Sequence, residues 1–163
     1  MLKDKTVKHE GSKRILVVDD DPDTAVALRA LFELEGYDVR VARNGRNAVQ
    51  ASLDDRPDVV VTDLAMPVMS GIDLIKAFKV NQGLAGVPII AVSAEDESEL
   101  DNAARLGAVA VYQKPLDFDS CLSTVASVVD RRKSRPSKRS TSPRISGRTE
   151  PNQRRNTEER SLF

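Results

Sequence analysis

The sequence predicts an α/β fold in which a single five-stranded parallel sheet carries helices on both faces. Five short apolar runs alternate along residues 13–130 with five segments whose apolar residues recur at helical spacing. Most of these runs are continuous stretches of Val, Ile and Leu, which is typical of strands buried on both sides by crossover helices. Because such crossovers are right-handed, the expected arrangement is a doubly wound sheet.

The first half of the chain predicts three strands and two helices. Asp21 and Pro22 suit the cap and first turn of a helix, and Gly36 suits its end. Asn44 and the glycine after it open a turn into the second helix, and Pro57 interrupts the chain before the third strand. The predicted elements are strand 14–18, helix 22–35, strand 37–41, helix 46–53 and strand 58–62.

The second half predicts three helices and two strands. Four acidic residues within positions 95–99 crowd the first turn of the fourth helix, where the helix dipole favours them, and Gly107 ends it. The last helix places apolar residues such as Leu122 and Val125 on one face. The predicted elements are helix 71–78, strand 89–92, helix 95–106, strand 108–112 and helix 117–130.

The two ends of the chain differ in composition from the predicted domain, residues 13–130. Residues 1–12 are polar without a period, so we expect a flexible leader, and residues 131–163 are too poor in apolar residues to fold. This predicted disordered tail holds 11 Lys and Arg against 3 Asp and Glu, whereas residues 1–130 hold 14 against 22. Two interpretations stay open: the tail makes weak contact with nucleic acid or an anionic surface, or it solubilises the protein or folds back on the acidic body.

Composition excludes several classes of site. Cys121 is the only cysteine, so no intramolecular disulfide can form and a reducing compartment is expected. His9 is the only histidine and lies in the leader, which excludes a histidine-based metal site and a Ser-His triad. The charged start lacks a signal peptide, and the apolar runs are too short for a membrane span. A cytoplasmic location is therefore expected.

Charged and hydroxyl residues follow four of the predicted strands at their carboxyl ends. Asp19 and Asp20 follow strand one, while Asp63, Ser93 and Lys114 come at the ends of strands three, four and five. Taken singly, each is more often a cap, a turn residue or a solvated charge. In a parallel sheet, however, all five converge on the one edge where ligands bind. Clustered carboxylates repel one another unless a cation such as Mg²⁺ intervenes, and a carboxylate beside Mg²⁺ and a lysine is typical of phosphoryl transfer.

These positions resemble the receiver domain of response regulators in bacterial-type two-component signalling, of the stand-alone, chemotaxis-regulator kind. The resemblance covers residues 13–130 and implies a flavodoxin-like fold with strand order 2-1-3-4-5. The matching stretches are Leu16-Val17-Val18-Asp19-Asp20, then Asp63 with Met66-Pro67 and Gly71 behind it, then Ser93-Ala94, and then Lys114-Pro115.

The resemblance implies a role for each acid. Asp63 corresponds to the residue that accepts a phosphoryl group from a sensor histidine kinase or a phosphotransfer protein. Asp20 corresponds to a direct Mg²⁺ ligand and Asp19 to an acid that acts mainly through water. The backbone carbonyl of Ala65 would be the third protein ligand beside Asp20 and Asp63.

The resemblance also implies a switch, from which this sequence departs. Ser93 and Lys114 would contact the phosphoryl oxygens, and the peptide bond from Lys114 to Pro115 is expected to be cis. The family's switch aromatic usually stands three residues before the lysine, where this chain has Val111, and Tyr112 follows it. The sequence therefore departs from the usual coupling of hydroxyl and rotating aromatic, and packing of Tyr112 on the neighbouring face is the simpler interpretation. The expected output face is formed by helix four, strand five and helix five.

The sequence thus predicts a phosphorylation-dependent binding module, either a monomer or a dimer formed on phosphorylation. No folded output domain is predicted after Asp130, and no catalysis beyond self-dephosphorylation is expected. The alternative is a phosphatase that uses an aspartate nucleophile with Mg²⁺. Such enzymes need an aspartate two residues after the nucleophile, and Ala65 stands there instead.

Overall fold

The computed structural model describes residues 11–94 and 96–133, and within them the five strands form one parallel sheet in the order β2-β1-β3-β4-β5. Five helices alternate with the strands along the chain. The predicted fold class and strand order are therefore confirmed. The elements are β1 (Arg14–Val18), α1 (Pro22–Leu34), β2 (Asp38–Ala42), α2 (Gly45–Asp54), β3 (Val59–Asp63), α3 (Gly71–Val80), β4 (Ile89–Ser93), α4 (Glu97–Leu106), β5 (Ala110–Gln113) and α5 (Phe118–Lys133).

Two hydrophobic clusters sandwich the sheet. One, the α1–α5 cluster, contains Val17 with buried residues of α1 and α5, and the other, the α2–α4 cluster, contains Val18 with residues of α2, α3 and α4. Successive residues of a strand point to opposite faces, so a strand covered on both sides is apolar along most of its length. All five residues of β3 are accordingly buried. This explains the unbroken apolar runs in the sequence.

Side-chain caps fix where the first four helices begin. Each cap accepts a hydrogen bond from a backbone N–H in the first turn of its helix, which satisfies one of the unpaired donors there. These helices follow the carboxyl ends of β1 to β4, so the caps also anchor the loops on that edge of the sheet. The caps are Asp21 for α1, Asn44 for α2, Ser70 for α3 and Asp96 for α4.

Strand β5 begins at Ala110, two residues later than the sequence predicted. The cause is the end of α4, where Gly107 adopts a left-handed conformation with φ of 102°. The N–H of Ala108 then donates to the carbonyl of Ala103 at 3.0 Å, which keeps Ala108 in the turn that ends the helix. Two residues of the predicted strand therefore belong to the connection.

Helix α5 continues to Lys133, three residues beyond its predicted end. Residues 1–10 of the predicted leader and residues 134–163 of the predicted tail lie outside the described residues. Within the described ranges, every helix is too short or too polar to cross a bilayer.

Val68, in the loop between β3 and α3, has a backbone conformation that is unfavourable for valine. Its φ is 71°, a left-handed value that a β-branched residue rarely adopts, and its side chain is 73% exposed. We expect Val68→Asn to raise the free energy of unfolding by about 1 kcal/mol, because asparagine tolerates this conformation and little burial is lost. Urea denaturation measures the change. The matched change Val80→Asn, at an 84% exposed helical position, should have little effect on the free energy of unfolding. A Val68→Asn variant that is no more stable than the wild type would contradict this interpretation.

Cys121 lies fully buried in the α1–α5 cluster. Burial raises the pKa of its thiol from 9.0 to about 11. Since the thiolate is the reactive species, the raised pKa alone should slow alkylation at mildly alkaline pH by about a hundredfold. We expect iodoacetamide to leave the folded protein unmodified while it labels the urea-unfolded protein, as measured by intact mass. Equal rates in the two states would show that the thiol is accessible.

Candidate functional site

Three carboxylates meet at the carboxyl edge of the sheet. Strand β1 pairs with β3 so that Val18 lies opposite Thr62, which brings the residue after each of them, Asp19 and Asp63, side by side. One carboxylate oxygen from each of Asp19, Asp20 and Asp63 lies within 4.8 Å of the others. Asp19 and Asp63 are buried, whereas Asp20 is exposed. The cluster is therefore accessible to solvent on the side of Asp20, while Asp19 and Asp63 are enclosed by the protein.

The two carboxylate oxygens of Asp63 have different surroundings. Its Oδ1 accepts hydrogen bonds from the N–H groups of Leu64, at 2.7 Å, and Ala65, at 3.3 Å. Its Oδ2 lies 3.2 Å from Nζ of Lys114. One oxygen is thus fixed by the main chain, while the other faces a cation.

Asp19 is held by the same lysine. Its Oδ1 accepts from the N–H of Asp21 at 2.9 Å, and its Oδ2 lies 3.3 Å from Nζ of Lys114. Burial raises the pKa of Asp19, and the neighbouring charge of Asp63 adds to this effect. The hydrogen bond from Asp21 and the charge of Lys114 oppose the rise without cancelling it. The low exposure of Asp19 is therefore the main reason that its charged form is disfavoured.

Lys114 is partly buried between these carboxylates. Burial acts to lower the pKa of its ammonium group, but the charges of Asp63 and Asp19 outweigh burial and raise it. The backbone N–H of Lys114 donates to the carbonyl of Ser93 at 2.9 Å, and its peptide bond to Pro115 is cis. The ammonium group of Lys114 thus lies between two buried carboxylates, while its backbone is bonded to the end of β4.

The donor set suits a hard divalent cation. Three carboxylates face a single ammonium group, so they leave excess negative charge, and carboxylate oxygens are the ligands that Mg²⁺ prefers. The exposed Asp20 leaves one side open, which fits an ion that keeps several waters. Ala65, two residues after Asp63, lies exposed in the loop beside the cluster.

The remaining predicted residues lie on β4 and β5. Ser93 is fully buried at the end of β4, and its carbonyl accepts the hydrogen bond from the N–H of Lys114. Val111 packs against the α2–α4 cluster, whereas Tyr112 packs in the α1–α5 cluster. The hydroxyl of Tyr112 donates to the carbonyl of Ser120 at 3.0 Å. The site thus gathers the acids and the lysine, while the Tyr112 side chain lies against α5.

Sequence reasoning missed the contribution of Thr62. Its hydroxyl, fully buried, donates to the backbone carbonyl of Asp63 at 2.8 Å and so helps to fix the residue that bears the carboxylate. A hydroxyl at the end of an otherwise apolar strand was the available signal.

A cavity of about 220 Å³ also opens beside Asp63 and Lys114, with Leu28 and Leu116 among its apolar lining residues.

The family model of the response regulator receiver domain matches residues 15–126, which include all three acids and Lys114. The chain belongs to the response regulator receiver family. Receiver domains are phosphoacceptors of two-component systems rather than enzymes of the usual kind. The resemblance stated from the sequence is confirmed.

Similar proteins include a longer relative, of which the match covers about half, and a shorter one, of which it covers nearly all. The transcriptional regulatory protein KdpE of Mycobacterium tuberculosis is 36% identical over 118 residues, which are 72% of this chain and 51% of KdpE. The protein PilH of Pseudomonas aeruginosa is 33% identical over 118 residues, which are 71% of this chain and 97% of PilH. The crystal structure of the signal receiver domain of a histidine kinase from Syntrophus aciditrophicus matches with a TM-score of 0.71 and 30% identity, over 77% of this chain and 96% of that one. The chain thus spans about half the length of KdpE and nearly all of PilH.

Proposed function

We propose that this receiver domain accepts a phosphoryl group on Asp63 from a histidine kinase or a phosphotransfer protein and thereby changes its binding to an effector. The observation that carries the proposal is the asymmetry of the Asp63 carboxylate. Its Oδ1 is held by the N–H groups of Leu64 and Ala65, and its Oδ2 faces the ammonium of Lys114. Positioning and charge neutralisation are what phosphoryl transfer requires from a protein.

In this proposal Oδ2 of Asp63 is the nucleophile. It forms a bond to phosphorus as the bond from phosphorus to the donor's histidine nitrogen breaks, and the donor histidine leaves with the bonding pair. Lys114 contributes positive charge to the phosphoryl oxygens, and Ser93 supplies a hydroxyl at the end of the neighbouring strand. The two N–H groups on Oδ1 restrict the orientation of the carboxylate, and the Thr62 hydroxyl holds the backbone carbonyl of Asp63.

The acidic cluster would hold Mg²⁺ through Asp20, Asp63 and the carbonyl of Ala65, with Asp19 acting through water. A bound Mg²⁺ supplies positive charge that neutralises the phosphoryl oxygens. Ala65 stands where a phosphatase with an aspartate nucleophile needs its second aspartate, and a methyl group cannot donate or accept a proton. For this reason we propose no catalysis other than self-dephosphorylation.

Removal of Asp20 should weaken the metal site more than it changes the fold. We expect Asp20→Asn to lower the affinity for Mg²⁺ by at least about tenfold, because the exposed carboxylate is lost from the donor set. Isothermal titration calorimetry measures the affinity. Asp23→Asn, an exposed change in the first turn of α1, is the matched control. Equal Mg²⁺ affinities of Asp20→Asn and the wild type would remove Asp20 from the ligand set.

We place the effector surface on α4, β5 and α5. Strand β5 lies at the edge of the sheet and is only partly buried, and the preceding residue, Val109, is 52% exposed. An edge strand flanked by two helices offers both apolar and polar groups to a partner.

A small phosphodonor tests phosphoryl acceptance without knowledge of the natural kinase. Incubation with Mg²⁺ and acetyl phosphate should add one phosphoryl group to the wild-type chain, as measured by intact mass. Omission of Mg²⁺ should suppress the addition. A chain that stays unmodified in the presence of Mg²⁺ would contradict the proposed function.

A further inference from the structure

Strand β5 presents two neighbouring residues to opposite faces of the sheet. Val111 enters the α2–α4 cluster, and Tyr112 enters the α1–α5 cluster. The position three residues before Lys114 therefore carries a small aliphatic side chain that faces α4. The tyrosine one residue later faces α5.

The hydroxyl of Tyr112 is bonded twice to α5. It donates to the carbonyl of Ser120 at 3.0 Å and lies 2.6 Å from Oγ1 of Thr124. Because its one proton goes to Ser120, Tyr112 accepts the proton of Thr124. Ser120 and Thr124 are four residues apart and share one face of the helix. Tyr112 thus ties β5 to the first two turns of α5.

The same strand leads directly into the acidic cluster. Lys114 follows Tyr112 by two residues, and its backbone N–H is bonded to the carbonyl of Ser93 at 2.9 Å. Its Nζ contacts Asp63 at 3.2 Å and Asp19 at 3.3 Å. Two peptide units therefore separate the cation of the site from the residue that is anchored to α5.

We expect phosphorylation to change the position of this cation. Nζ of Lys114 lies 3.2 Å from Oδ2 of Asp63, and a covalent bond from that oxygen to phosphorus is far shorter. The phosphoryl group would occupy the space that the ammonium group now borders, and it adds negative charge there. We expect Lys114 to shift so that it contacts the new oxygens, and this shift pulls on the end of β5 that carries it.

We propose that Tyr112 is a positioning residue that transmits this movement of Lys114 to α5, so that α5 responds to the state of Asp63. The proposal rests on the proposed function. Tyr112 is suited to the task because its two hydrogen bonds are directional, and a shift of the strand either carries α5 with it or breaks them. Val111 makes only apolar contacts, which are non-directional and tolerate a small shift.

Amide hydrogen exchange of residues 118–131 tests the proposal. The full chain is compared with and without beryllofluoride and Mg²⁺, where beryllofluoride is the mimic of a phosphoryl group. We expect exchange in α5 of the wild type to change severalfold on addition of the mimic. Tyr112→Phe removes both hydrogen bonds of the hydroxyl and should reduce that change to less than about a third. Thr124→Val removes the hydrogen bond with Thr124 and leaves the one to Ser120, so it should reduce the change by a smaller amount.

Tyr37→Phe is the matched control, because Tyr37 belongs to the same α1–α5 cluster and packs edge-on against Phe32. It should keep the full response in α5. Wild-type-like responses in both Tyr112→Phe and Thr124→Val would overturn the proposal, as would an unchanged α5 in a wild-type chain that acetyl phosphate phosphorylates. Thr124→Val keeps the test decisive if the aromatic substitution impairs folding. A wild-type chain that acetyl phosphate leaves unmodified would instead overturn the proposed function, and this inference with it.

Discussion

Asp63→Asn is expected to abolish phosphorylation of the chain by acetyl phosphate. The substitution keeps the size of the side chain and an oxygen for the N–H groups of Leu64 and Ala65, but it removes the negative charge and the nucleophilic oxygen beside Lys114. The rate of phosphoryl incorporation, followed by intact mass, should fall by more than about a hundredfold. No other described acid combines burial, two backbone donors and an adjacent ammonium in this way.

Asp73→Asn is the matched control for this loss. Asp73 lies in the first turn of α3, with a side chain that is 58% exposed and a salt bridge to Lys76. Its replacement should leave phosphorylation at the wild-type rate. If Asp63→Asn incorporates phosphoryl groups as fast as Asp73→Asn, the acceptor is a different residue.

Gly71→Ala is expected to lower the free energy of unfolding by about 3 kcal/mol. A Cβ at Gly71 would overlap the backbone oxygen of Asp63 and lie 2.8 Å from Cα of Leu64. Main-chain atoms cannot rotate away as a side chain can, so the loop after β3 has to shift. The N–H of Gly71 donates to the carbonyl of Leu64 at 3.0 Å, and that bond would be strained as well. Because the same loop carries Ala65, phosphorylation should also slow. Urea denaturation and the acetyl phosphate assay measure the two effects.

Gly86→Ala provides a control of opposite sign. A Cβ at Gly86 meets only the guanidinium of Arg56, at 3.4 Å, an ordinary contact with a flexible side chain. Its conformation is not left-handed, so alanine should stabilise the fold by about 0.5 kcal/mol through the unfolded state. A Gly71→Ala variant as stable as Gly86→Ala would show that the loop is not packed as described.

The fold could be predicted because several kinds of signal agree. Continuous apolar runs such as the one ending at Asp63 are required when both faces of a strand are covered. The caps Asp21 and Ser70 mark helix starts. The start of β5 was less predictable, because the backbone turn at Gly107 that delays it depends on hydrogen bonds to α4.

The site was predictable to the level of residue positions. In a parallel sheet, topology alone brings Asp19, Asp63 and Lys114 to one edge. What the sequence could not specify was which oxygen of Asp63 the main chain holds, because that depends on the path of the loop through Leu64 and Ala65. For the same reason the strained conformation of Val68 has no sequence signal, since a glycine or asparagine would be expected there.

The direction of Tyr112 was predictable only in part. Alternation along a strand places Val111 and Tyr112 on opposite faces, so packing of the tyrosine beside α5 follows from strand register. The hydrogen bonds of its hydroxyl to Ser120 and Thr124 depend on how far α5 is displaced along the sheet. Such contacts between elements require the tertiary structure.

Locating the phosphoryl group tests the central claim most directly. The chain is phosphorylated with acetyl phosphate and Mg²⁺, and borohydride then reduces the acyl phosphate to homoserine. Trypsin, which cuts after Arg46 and Lys76 and leaves the bond before Pro57 intact, releases the peptide 47–76 for sequencing by mass spectrometry. That peptide contains Asp63 and also Asp73. We predict homoserine at position 63 alone, and homoserine at any other aspartate of the chain in place of position 63 would contradict this account.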